Sequence, residues 1–116
     1  MHDRKEANQM PLSCKMDGRK MTAQITGEVD HHRAKQLMLD LERKIEISYP
    51  KELILDLSGV TFMDSSGIAV LLRTCRRMRE MDGQFQVIQV PRQAGRVLRA
   101  AGLQNMMPIA FSGEEE

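Results

Sequence analysis

The sequence predicts an α/β fold, a single domain with a mixed, mostly parallel sheet, an N-terminal antiparallel hairpin and helices packed on it. Three observations predict it. Apolar residues alternate on both sides of Asp17-Gly18, a short-hairpin signal. Downstream, segments with helical apolar spacing alternate with short apolar runs, the pattern of βαβ crossovers. The 116 residues suffice for one core.

Each element has a local reason. Leu12, Cys14 and Met16 share one face of the first strand, and Met21, Ala23 and Ile25 one face of the second. Asp30 is a preferred helix N-cap. Behind it Ala34, Leu37, Met38, Leu41 and Ile45 form a helical stripe that Pro50 closes. Leu53 to Leu57 is apolar at nearly every position, which predicts a central strand covered on both faces. A second helix, Ser65 to Met81, places Ile68, Leu71, Leu72, Cys75 and Met78 on one side and ends at Asp82-Gly83. Phe85 to Val90 is a fourth strand. Pro91 suits the start of a third helix, where its missing N–H is harmless. Ala94, Val97, Leu98 and Ala101 make that helix's apolar face, and Gly102-Leu103 resembles a glycine C-cap with its apolar follower. Met106 to Phe111 predicts a last short strand. Residues 1–9 read as a disordered polar tail, 10–111 as the domain and 112–116 as an acidic tail.

Composition excludes several function classes. Seventeen basic and sixteen acidic residues give a net charge of +1, against the basic excess of nucleic-acid binders. No apolar run approaches about 18 residues, so no membrane-spanning helix is expected. Met1 to Gln9 lacks the apolar stretch of a secretory signal. Two cysteines are too few for a disulfide framework or zinc site, and both are expected to be buried small hydrophobes. A cytoplasmic protein without a cofactor is the expectation. No Walker loop, G-x-G-x-x-G or G-x-S-x-G motif occurs, so neither a nucleotide site nor a serine hydrolase is supported.

In a mostly parallel sheet the loops after the strands gather on one edge, where sites form. Asp30, Asp64-Ser65 and Pro91-Arg92 each follow a strand and should share that rim. Asp64-Ser65-Ser66-Gly67 lies at a strand-to-helix turn, where free N–H groups and the helix dipole favour a phosphate. Capping is the commoner role of such residues. His31 and His32 are adjacent and point apart, so they make poor joint metal ligands; no metal site is expected. Arg73, Arg76, Arg77, Arg92, Arg96 and Arg99 form basic stripes. A solvated face is their usual role, and an acidic protein partner the functional alternative.

Two segments carry a family resemblance: Ile25-Thr26-Gly27-Glu28-Val29-Asp30-His31-His32, and Leu55 through Thr61-Phe62-Met63-Asp64-Ser65-Ser66-Gly67-Ile68. Ala100-Ala101-Gly102-Leu103 adds a third. Together they resemble the STAS domain proteins, and within them the anti-anti-sigma factors, over about Met10 to Phe111. The resemblance implies a non-enzymatic anti-sigma factor antagonist. Its partner would be an anti-sigma factor that is also a serine kinase, and binding would release a sigma factor. Phosphorylation would fall on Ser65, and a serine phosphatase would reverse it. Asp30, Asp64, Ser66, Gly67 and Arg73 would take part in partner binding. Family members often carry a further helix after the last strand, where only Ser112 to Glu116 remain here. STAS domains also serve as adaptor subunits of membrane transporters or stress-signalling complexes, the alternative function. Neither reading involves nucleic acid or insertion in a membrane.

Overall fold

The computed structural model describes residues 11–112, so the expected tail at 1–9 and all but Ser112 of the expected acidic tail at 112–116 lie outside the described residues. The elements run β1 (Leu12–Asp17), β2 (Lys20–Val29), α1 (His31–Ser48), β3 (Glu52–Met63), α2 (Ser66–Glu80), β4 (Gln84–Val90) and α3 (Arg92–Ala100). A 3-10 turn at Leu103–Asn105 and β5 (Ile109–Phe111) follow. The five strands lie in chain order, β1-β2-β3-β4-β5. The β1–β2 pair is antiparallel and the other pairs are parallel, as the sequence predicts. The hairpin turns at Asp17-Gly18, with Gly18 at φ +66, a conformation that favours glycine.

Register explains which side chains form the core. Met21, Leu53 and Phe85 stand in one row across β2, β3 and β4, and Ala23, Leu55 and Val87 in the next. All six are buried. Helices α1 and α2 pack on this face and against each other, α1 over β1 and β2, α2 over β3 and β4. From α1 they bury Ala34, Leu37, Leu41 and Ile45, and from α2 Val70, Leu71, Thr74, Cys75 and Met78. Each large aliphatic residue fully removed from water contributes about 1.5–3 kcal/mol. Thr74 is tolerated there because its hydroxyl donates to the Val70 carbonyl at 2.8 Å.

The structure corrects four expectations. β3 is not covered on both faces: Ile54 and Asp56, on its second face, are only half-buried. Their row-mates Thr22, Gln24, Gln86 and Ile88 are half-buried or exposed as well. The sheet therefore has one packed face and one open face, which antiparallel-edged sheets tolerate. Ile68 and Leu72 are half-buried, and Val70 and Thr74 take their expected places in the α2 stripe. In α3, Gly95 is buried where Ala101 was expected, because Gly95 lies against Phe111 of β5. Cys75 is buried, but Cys14 is half-buried and faces the α1 side, where partial burial raises its pKa. None of the described helices is long and apolar enough to cross a membrane.

Candidate functional site

β2 and β3 run parallel, so their C-terminal ends deliver Asp30 and Asp64 to the same edge. Asp30 caps α1: its Oδ1 accepts from the backbone N–H of His32 and Arg33, both at 3.1 Å. α2 is built differently. Ser65 occupies the nominal cap position, yet its hydroxyl makes no capping bond and its backbone is already helical. The capping oxygen comes from the residue before it. Asp64 Oδ1 accepts from the Ser66 N–H at 2.8 Å, and the Asp64 carbonyl accepts from the Gly67 N–H at 3.0 Å. Helix α2 accordingly begins at Ser66 and not at Ser65.

The second oxygen of Asp64 reaches the other helix. Oδ2 accepts from the His31 N–H, in the first turn of α1, at 3.2 Å. One carboxylate thus serves the N-termini of α1 and α2 together. These bonds hold its pKa below the usual carboxylate value. The Ser66 N–H is the largest cause, helped by the Ser66 hydroxyl, the His31 N–H and the His31 charge, with partial burial opposing. Asp64 is an anion at neutral pH.

The two serines are therefore not equivalent. Ser66 is half-buried and engaged with Asp64, while Ser65 is exposed and free of any capping duty. Gly67 is buried, and a Cβ there would sit 2.6 Å from Met63 Cγ and Sδ. Only glycine lets the first turn of α2 lie this close to the end of β3. Beside Ser66 an open groove of about 460 Å³ separates the helices, lined by His31, Lys35 and Met38 of α1 and by Ala69 of α2. The two imidazoles meet edge-on with centroids 5.7 Å apart. Among the described residues no three His, Cys, Asp or Glu side chains are placed to hold a metal ion.

Asp30, Asp64, Ser65, Ser66 and Gly67 come together on the rim as expected. Arg73 does not join them. Two turns farther along α2, about 10 Å away, it pairs with Glu42 of α1 at 2.9 Å. It heads a charged ladder that continues with Arg77, Glu46 and Glu80. One residue escaped sequence reasoning. The Gln93 side chain, at the start of α3, accepts from the Met63 N–H at 2.8 Å and donates to the Met63 carbonyl at 2.9 Å. It thereby holds the residue just before Asp64. A lone glutamine two residues after a proline carries no sequence signal for this role.

Comparison with known proteins finds relatives of this chain in sequence and in fold. An anti-sigma F factor antagonist of Paenibacillus polymyxa is 29% identical over 89 residues, which span 77% of this chain and 76% of that protein. The solved structure of the anti-sigma factor antagonist SpoIIAA in its unphosphorylated form superposes with a TM-score of 0.74 at 23% identity, covering 90% of each chain. SpoIIAA from Bacillus in its phosphorylated form gives a TM-score of 0.67 at 23% identity, over 90% of this chain and 93% of that one. The STAS domain family model matches residues 15–115, taking in the hairpin turn, both helix entrances and the Asp64–Gly67 turn. This chain belongs to the STAS domain family.

Proposed function

We propose that this chain is an anti-sigma factor antagonist, a cytoplasmic binding protein and not an enzyme, switched off by phosphorylation of Ser65. Its partner in this reading is an anti-sigma factor with serine kinase activity, and a serine phosphatase resets it. The observation that carries the reading is the uncommitted hydroxyl of Ser65. It is exposed on the rim while Asp64 takes over the capping of α2. A serine needed as a cap would lose its structural bond on phosphorylation; this one has none to lose.

The same geometry supports a switch by local charge. A phosphate adds about −1.5 to −2 charges beside the Asp64 anion. The N-terminus of α2 offsets only about 0.3–1 kcal/mol of that, and the Asp64 carboxylate already occupies the nearest N–H. A partner seated on this rim would have to desolvate two like charges together. A hundredfold loss of affinity requires only about 2.7 kcal/mol, so local repulsion suffices without refolding. Asp30, Ser66 and Gly67 frame the contact. Arg73, tied to Glu42, contributes at its far margin if the partner extends along α2.

The test is incubation of the purified chain with the serine-kinase anti-sigma factor of its own genome and ATP, followed by mass spectrometry of the Ser65 peptide. One phosphate on Ser65 is expected. Ser65→Ala should still bind the kinase and take no phosphate, and Ser65→Asp should bind at least tenfold more weakly. Phosphate on another residue, or parent-like binding by Ser65→Asp, would overturn the reading.

A further inference from the structure

β3 is held unequally on its two sides. Its ladder with β2 runs to Met63, opposite Val29. Its ladder with β4 stops at Asp56, opposite Ile88. The next residue of β4, Gln89, turns into the left-handed region at φ +54. The Asp64 N–H donates to the Val29 carbonyl at 3.2 Å, so the strand end is bonded to β2 on one side. Alternation along a strand turns the Met63 N–H and carbonyl to the other side, where β4 no longer runs. Met63 is buried, and an unpaired backbone pair there would be costly.

The Gln93 amide fills that gap. One side chain supplies the acceptor and the donor that a neighbouring strand would otherwise supply. Its base is the first turn of α3, which also packs on β3. We infer that Gln93 is a positioning residue for Ser65: by clamping Met63 it fixes the start of the turn that presents the hydroxyl to a phosphoryl donor. A single residue, Asp64, separates Met63 from Ser65, and it is tied to both helices. Loss of the clamp would free this short segment on one side and widen the range of Ser65 positions. A misplaced acceptor slows transfer more than it weakens docking, because the reacting atoms must align to a fraction of an ångström.

This inference rests on the function proposed above, and two readouts separate them. Gln93→Met keeps the length of the side chain and removes both polar atoms; Gln93→Asn keeps the amide and shortens its reach. In each variant the Met63 amide should exchange with deuterium at least tenfold faster than in the parent, with Leu55 exchange unchanged. With the cognate kinase, kcat for Ser65 phosphorylation should fall about tenfold while KM stays within twofold. Parent-like Met63 exchange in both variants overturns the clamp. Faster exchange with unchanged kcat overturns its role in positioning. A parent chain that takes no phosphate sinks the proposed function and the positioning role with it, yet the exchange arm still decides whether the clamp exists.

Discussion

The entrances of α1 and α2 lie side by side on one rim and solve the same problem in different ways. At α1 the cap residue does its own capping, as Asp30 accepts two N–H groups. At α2 the cap position is held by Ser65, which caps nothing, and Asp64 does the work from one position upstream. The first arrangement binds the residue at the helix mouth to a structural task. The second leaves a hydroxyl at the helix mouth available for chemistry with an outside partner. A serine beside a helix terminus cannot be classed as cap or switch until the neighbouring carboxylates have been traced.

Substitutions can break this contrast by degrees. The largest effect is expected at Gly67, where any side chain meets Met63. Gly67→Val should cost about 2–3 kcal/mol through overpacking, seen as a lower urea midpoint. Next comes Asp64→Ala, which strips an acceptor from two helices and should destabilise more than the corresponding change at Asp30. Its pH signature is specific. Because the folded-state pKa of Asp64 is depressed, its contribution is present above the unfolded value of about 3.9 and is lost as pH falls through the folded value. Stability curves of parent and Asp64→Ala should therefore diverge at neutral pH and approach each other as pH falls through the depressed folded value; parallel curves throughout would contradict the shared-carboxylate geometry. Asp30→Ala should cost about 1 kcal/mol, the usual value of one cap, with little dependence on whether Asp64 is intact. The smallest effect belongs to Ser65→Ala, within about 0.5 kcal/mol of the parent. A loss above 1 kcal/mol by chemical denaturation would show that the hydroxyl has a structural task after all.

Much of this was legible in the chain. Asp17-Gly18 between alternating strands gave the hairpin, Asp30 gave the α1 cap, and Gly102 adopts the expected left-handed C-cap at φ +75. The rim was legible because parallel strands place successive loop residues together. Three things were not. The run Leu53–Leu57 reads as fully buried, but Ile54 and Asp56 point to an open face, and an apolar run alone does not say how many layers cover it. The division of labour between Asp64 and Ser65 depends on backbone angles that both residues can adopt. The Gln93 clamp depends on where β4 leaves β3, a register fact that composition cannot carry. Arg73 shows the same limit: its ion-pair partner, Glu42, lies on another helix 31 residues away.

The idle hydroxyl at position 65 has a consequence for variation. Serine, threonine, alanine or aspartate could occupy that site with almost the same folding free energy, since no backbone group depends on it. Under the function proposed above, a lineage, or an engineer, could therefore convert a reversible regulator into a permanently active or permanently silent one by a single codon, leaving the scaffold untouched.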